Sequence, residues 1–238
     1  MKLMFVDETG GEKHKEYLGI CVAMIDSKSY PLLKRESLAI LEDAGWDPDT
    51  EFKGRFLFSA TTGTTEVEVD RRVEAAGRLL DLNASTKNGR LRFAYGRMSS
   101  TDKAADYLEG VPALLSVKKV LPKPQTRGGK NLISVTCDDR DDVYPDDLHK
   151  AVAPVLEGRG YVVLERVQQA TSTPQSIGLM YADLVAYLVG RVETISSDAG
   201  LFEGLDHEVL EASGKYKKLT SSTALIKRIK NLDLFVAT

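Results

Sequence analysis

Leu3-Met4-Phe5-Val6-Asp7-Glu8-Thr9-Gly10 is the stretch on which the rest of the chain is read. An apolar run of strand formers stops at two adjacent carboxylates. A polar, glycine-containing segment through Lys15 then separates it from a second β-rich run, Tyr17 to Ile25. Two such runs joined by turn chemistry read as a β-hairpin. Asp7 and Glu8 close its first strand, where they serve equally well as turn residues or as part of a site. Which of the two they are depends on what else the chain brings to the same end of the sheet.

Working outward, Ser29 and Pro31 open a helix carrying Leu32, Leu33, Leu38, Ile40 and Leu41 and ended by Gly45. Trp46-Asp47-Pro48-Asp49 is a turn, and Glu51 to Ser59 reads as a short strand or an ordered loop. The polar run Thr61 to Thr65 precedes a second helix reaching Leu82. Leu91 to Met98 is a strand with Leu91, Phe93 and Tyr95 on one face. Ser100-Thr101-Asp102 starts a helix toward Leu121, kinked at Gly110 and Pro112. Asn131 to Cys137 is a strand ending in Asp138-Asp139-Arg140-Asp141-Asp142, in which Asp141 and Asp142 read as a solvated loop capping the helix that follows. That helix has Pro145 at its first position and Asp146 and Asp147 in its first turn. Tyr161 to Val167 is a further strand, Gln175 to Val192 an apolar helix, and the remainder is helical and basic.

The order is β-β-(helical insertion)-β-α-β-α-β-α. Its back half favours right-handed crossovers and parallel neighbours. The expectation is an α/β fold, a mixed five-stranded sheet with helices on both faces. It forms a single domain over 1–238, with a helical insertion at about 28–88 and a helical C-terminal extension at about 195–238.

Composition narrows the class. With 238 residues, 42% hydrophobic and 28% charged, the chain is long enough for a substantial core. A net charge of -3 excludes a strongly basic, histone-like binder but not local basic patches. Cys21 and Cys137 make no zinc motif and read as two buried thiols in a reducing compartment. The first residues reach Asp7-Glu8 too soon for a signal peptide. No stretch approaches the roughly 20 apolar residues of a membrane span, so a cytoplasmic protein is expected.

Three carboxylates fall where chemistry would want them. Asp7 ends the first strand. Asp138 ends the fourth, which a sheet of this order can place beside the first, about 5 Å away by strand spacing. Asp183 lies inside a helix whose other residues are apolar on every side, and such a helix is buried. A carboxylate there needs a cation or hydrogen-bond donors. Clustered carboxylates select hard ions such as Mg²⁺ or Mn²⁺, and two such ions roughly 4 Å apart suit in-line phosphodiester displacement. Lys118, Lys119, Lys123, Arg127 and Lys130, with the basic C-terminal helix, offer a track for a phosphate backbone of RNA or DNA.

These residues resemble a known family. Phe5-Val6-Asp7-Glu8-Thr9-Gly10 is similar to the N-terminal "DESG" signature of the DUF3800 proteins, Glu51-Phe52-Lys53-Gly54 to their E-x-K-G segment, and Leu179 to Tyr187 to their C-terminal Q-x-x-D helix. The resemblance implies a ribonuclease-H-like fold and, by analogy, a divalent-metal phosphodiesterase. The implied site is Asp7, Glu8, Asp138 and Asp183 as metal ligands, with Glu51 beside them and Lys53 as an electrostatic helper. Met180 stands where the family has glutamine. Gln168, Gln169 and Gln175 are candidates to replace it, at a different spacing, and Asp102, Asp106 and Glu109 compete with Glu8 and Glu51 for the place of a further carboxylate.

Two readings therefore follow. One is a Mg²⁺- or Mn²⁺-dependent nuclease. The other is a weakened or inactive module that binds nucleic acid or a protein partner. A PD-(D/E)xK site is not among them, because one residue between Asp49 and Glu51 cannot form its paired strands. His14, His149 and His207 show no ligand spacing, and neither a P-loop nor a G-x-S-x-G elbow is present.

Overall fold

The computed structural model describes residues 1–10, 17–58, 67–84, 90–100, 102–121, 131–192 and 215–237, with only the backbone for 215–220. The first two strands, β1 (Lys2–Thr9) and β2 (Tyr17–Asp26), pair antiparallel as the expected hairpin. Next come α1 (Tyr30–Asp43), a 3-10 turn at Gly54–Phe56 and α2 (Val69–Ala84), the expected insertion. The remaining elements are β3 (Arg92–Ser99), α3 (Lys103–Ser116), β4 (Asn131–Asp138), α4 (Pro145–Gly158), β5 (Tyr161–Val163), β6 (Gln168–Ala170), α5 (Ile177–Gly190), α6 (Lys215–Ile229) and β7 (Asp233–Ala237).

The strands form one sheet in the order β5-β4-β1-β2-β3-β7, with β6 also on β4. β1, β2 and β3 are a meander of antiparallel neighbours, whereas β4 runs parallel to β1 and β5 parallel to β4. This is the ribonuclease-H-like arrangement, with helices on both faces.

The strand count differs from the expected five. Among the described residues the sheet has seven strands. Of the run Tyr161 to Val167 only the first three residues form a strand, β5, and a separate strand, β6, follows directly after the run. β5 pairs with the start of β4, and β6 pairs with its end, Asp138 opposite Ala170. The C-terminal extension is not wholly helical either. It ends in β7, which lies parallel on β3 and covers what would otherwise be an open sheet edge.

Strand alternation sorts the core into two layers. Phe5, Cys21, Ala23, Phe93 and Tyr95 face a layer built with α5 and with Leu33, Leu41, Leu79 and Leu225 of the other helices. Met4, Val6, Ile20, Val22, Ile133 and Cys137 face a second layer with Tyr107, Val111, Leu148 and Val152. Eight of the ten residues of β2 are buried, as a strand covered on both faces requires. No helix among the described residues is long and apolar enough to cross a membrane.

α5 determines where the site lies. Eleven of its fourteen residues are buried, so its helical periodicity serves packing all round rather than one stripe. It rests directly on β1, and a Cβ on Gly178 would fall 2.2 Å from the Phe5 ring. Only glycine permits that approach.

Candidate active site

At the end of β1 the strand period separates neighbours. Phe5 and Asp7 point to the α5 face, Val6 and Glu8 to the α3 face. β4 is in parallel register with β1, Val6 beside Cys137, which sets Asp138 beside Asp7. Cys137 belongs to the α3-side layer, so Asp138 shares the α5 face with Asp7. Asp183, two turns into α5, completes the group. The three are 1%, 7% and 8% exposed in the order Asp7, Asp138, Asp183.

A fourth segment reaches the same place. Trp46 is buried against Phe52 with ring centroids 4.9 Å apart, and its indole N–H donates to the Thr50 carbonyl at 3.0 Å. The Phe52 N–H donates to the Ser172 carbonyl at 3.0 Å. This anchoring brings Lys53 and Gly54 over α5. The Gly54 N–H donates to Asp183 Oδ2. A Cβ at Gly54 would lie 2.5 Å from Tyr187 Cβ, so glycine is needed for the loop to approach. Lys53 Nζ then donates to Asp138 Oδ2 at 2.7 Å and lies 3.2 Å from Glu51 Oε1.

The hydroxyl of Ser172, itself fully buried, lies 3.1 Å from Asp7 Oδ2 and 3.4 Å from Asp138 Oδ1. One hydroxyl carries one proton and cannot donate to both at once. The second bond forms when a carboxyl holds a proton, and Asp7 is set up to do so. Burial raises its pKa well above the ordinary carboxylate range, Asp183, Asp138 and Glu8 add to the shift, and Lys53 opposes it. Burial likewise pushes Asp183 up to about 7, against the opposing effects of Lys53 and the Gly54 N–H. Burial also works against the charge on Lys53, but Asp7, Asp183 and Asp138 overcome it and raise the ammonium above its usual value. The cluster is short of positive charge.

The structure thus brings Asp7, Asp138, Asp183, Lys53 and Glu51 together. Glu8 lines the same cavity, but its Oε1 accepts from Arg140 at 2.6 Å. Arg140 also holds Asp142 through two bonds and lies over the Tyr107 ring. Asp142 is therefore an ion-pair partner and not a cap. The N-cap of α4 is Tyr144, which makes no capping bond.

Three further expectations change. The candidates for another carboxylate fall elsewhere: Asp102 caps α3, Asp106 accepts from the Asp102 N–H, and Glu109 lines a separate groove on α3. Met180 is fully buried in the apolar layer and does not line the cavity, so it serves packing at that position. Of the expected basic track, Lys118 and Lys119 lie away from the site. α3 begins at the site end, where Lys103 Nζ donates to the Gly10 carbonyl, and it runs away for fourteen residues. That length is about 20 Å at 1.5 Å per residue, which carries Lys118 and Lys119 to its far end. Lys123, Arg127 and Lys130 lie outside the described residues, as do His14 and His207.

Sequence reasoning passed over Ser172, Arg140 and the cavity's rim of Tyr17, Arg55, Tyr187 and Arg191. Arg97 stacks on Tyr17 at 4.0 Å. Single serines and arginines carry no spacing signal. Ser172 becomes visible only once β6 is known to deliver it beside β4.

The cavity has a volume of about 340 Å³. Its donors are hard oxygens, Glu8 Oε2 is a buried oxygen with no hydrogen-bond partner among the described residues, and negative charge exceeds positive. In kind and charge, this donor set fits a divalent cation. As the side chains stand, however, no three His, Cys, Asp or Glu among the described residues are arranged to hold one. At Asp138 the place of a cation is taken by the Lys53 ammonium, 2.7 Å from Oδ2.

By strand order and direction the fold is a ribonuclease-H-like α/β fold, and it carries a buried carboxylate cluster at the ends of β1 and β4. Among solved structures the chain is similar to a chain of the PCNA–RNase HII complex from Archaeoglobus fulgidus, at 13% identity and a TM-score of 0.44, covering 93% of this chain and 91% of that one. It is also similar to ribonuclease H2 from Pyrococcus horikoshii OT3, at 16% identity and a TM-score of 0.41, covering 97% and 99%. No family model and no curated protein matches the chain.

Proposed function

We propose that this chain is a divalent-metal-dependent nuclease of the DUF3800 kind, hydrolysing phosphodiester bonds of RNA or DNA at Asp7, Asp138 and Asp183. The observation that carries the reading is the convergence of these three buried carboxylates, from two parallel strand ends and one helix, in a cavity with too little positive charge. In a buried site that charge balance is costly and is relieved by a cation. Mg²⁺ or Mn²⁺ would be held by Asp7, Asp138 and Asp183, and would supply Lewis acidity toward a phosphate oxygen and a more acidic water.

The chain's own residues prepare the rest. Ser172 orients Asp7 and Asp138 toward each other. The Gly54 N–H fixes the Asp183 carboxylate, and Gly54 itself keeps Tyr187 close. Arg55 and Arg191 on the rim suit the anionic backbone, and Tyr17 and Tyr187 offer faces on which a base can stack. The phosphate track thus lies on the rim and not on Lys118 and Lys119.

The test is Mn²⁺ binding by calorimetry together with cleavage of labelled RNA, DNA and hybrid strands. Micromolar to millimolar binding, with cleavage lost in Asp7→Asn, supports the reading. No binding at millimolar Mn²⁺, by the wild-type chain or after Lys53 is replaced, sinks it.

The second reading is a non-catalytic module that keeps the fold for a nucleic-acid or protein partner. The Lys53–Asp138 ion pair favours it, because a lysine fills the place a cation would take.

A further inference from the structure

We propose that Lys53 is a built-in counter-ion that competes with the divalent cation, so that metal enters only as the Lys53 side chain leaves Asp138. This rests on the metal-dependent reading above and adds a control on it.

The carboxylate oxygens are nearly all committed. Asp7 Oδ1 accepts from the Glu8 N–H at 2.7 Å and Asp7 Oδ2 from Ser172 at 3.1 Å. Asp183 Oδ2 accepts from the Gly54 N–H, and Asp138 Oδ1 lies 3.4 Å from Ser172. Asp138 Oδ2 is held by Lys53 Nζ at 2.7 Å. A divalent ion needs that oxygen at about 2.0–2.6 Å, which would set it against the ammonium at near-contact distance. Two like charges so close in a buried site repel strongly.

The backbone and the side chain of Lys53 differ in what they can do. Phe52 is fully buried and bonded to the Ser172 carbonyl, and Gly54 is bonded to Asp183, so the Lys53 backbone is fixed on both sides. The side chain has four rotatable bonds, is 15% exposed and lines a cavity together with Arg55 and Tyr187. It can swing outward without moving the loop. Glu51, 3.2 Å from Nζ and more exposed than Asp138, is a second carboxylate within ion-pair distance of the ammonium.

An ordinary helper lysine predicts the opposite sign for its removal. If Lys53 assisted the ion, replacing it would weaken metal binding or leave it unchanged. If Lys53 competes, replacement by an isosteric neutral side chain tightens binding.

The experiment measures Mn²⁺ affinity of the full chain by calorimetry and by the free-ion electron paramagnetic resonance signal, for wild type and Lys53→Met. At least tenfold tighter binding in Lys53→Met supports the proposal, as does binding seen only in that variant. Equal or weaker binding in Lys53→Met, with wild type binding normally, overturns it and leaves the metal-dependent reading standing. No binding in either chain overturns both. Because Lys53→Met removes the only lysine in the cluster and can misfold, a second measurement uses wild type alone. The ¹⁵N side-chain ammonium signal of Lys53 is followed as Mg²⁺ is added. Loss of its slow hydrogen exchange at saturating Mg²⁺ supports displacement, and an unchanged signal in metal-bound protein overturns it.

Discussion

Asp7 and Glu8 are adjacent in the chain and end in opposite electrostatic circumstances. Asp7 points to the α5 face, where Asp138 and Asp183 share one lysine with it and its carboxyl is driven toward its protonated form. Glu8 points to the α3 face, where Arg140 lies over Tyr107 and pairs with both Glu8 and Asp142. Burial raises the Glu8 pKa as well, but Arg140 pulls against it. In Asp142 the hydrogen bonds from Arg140 lower the pKa. One face is left short of charge and the other is neutralised. A stability-driven design would neutralise both, so the uncompensated face is the candidate for function.

The largest expected effect separates the two faces directly. Asp7→Asn should lower Mn²⁺-dependent cleavage at least about 10³-fold, more than 4 kcal/mol of barrier, whereas Glu8→Gln should cost less than about tenfold. Equal losses in initial-rate assays would break the comparison. In the same Asp7→Asn variant, metal-free thermal stability should hold or rise, because a buried, poorly paired acid has been replaced by a neutral amide.

Next in size, Phe52→Ala should destabilise by about 3–5 kcal/mol in urea unfolding, since a fully buried ring on Trp46 is removed. It should also loosen the α5 face alone, relaxing Lys53 and Gly54 and leaving the Glu8–Arg140 pair intact. Side-chain NMR of both regions would show whether the loss is that selective.

The pH dependence gives a smaller and more diagnostic effect. Asp183 keeps its proton up to about 7 in the folded chain, against about 4 when unfolded. Between those values the folded state binds more protons, so metal-free stability from this group is full below about pH 4 and lost as pH rises through 7. Relative to Asp183→Asn, wild type should lose about 2 kcal/mol between pH 5 and pH 8, and Mn²⁺ should flatten that slope by holding the carboxylates ionised. A flat metal-free difference would remove the charge-shortage argument.

On the other face, Arg140→Met should destabilise by about 1–3 kcal/mol by leaving Glu8 partly buried and unpaired. Asp142→Asn, an exposed partner, should stay within about 0.5 kcal/mol. A large effect of Asp142→Asn would mean that the α3 face is not the quiet one.

Much of the fold was legible in local pattern. The front hairpin, the helical insertion and the apolar α5 all follow from alternation, caps and hydrophobic runs. The separate β5 and β6 were not legible, because Val162, Leu164 and Val167 read as one strand, and only pairing with the two ends of β4 limits β5 to Tyr161–Val163 and makes a strand of Gln168–Ala170. β7 was hidden for a similar reason. Leu234 to Ala237 is too short to stand out until β3 offers it an edge.

The site divides along the same line. The sequence by itself determined which carboxylates are exceptional. Asp183 interrupts a helix with no polar face, and Asp7 and Asp138 end buried strands, where an ionised group must find compensation. The tertiary structure alone decided what compensates them. Strand parity turned Glu8 away to Arg140, β6 carried in Ser172, and the Trp46–Phe52 anchor placed Lys53 among the acids. Desolvation is a local property that a hydrophobic pattern records, whereas charge pairing acts between residues that only the folded chain makes neighbours.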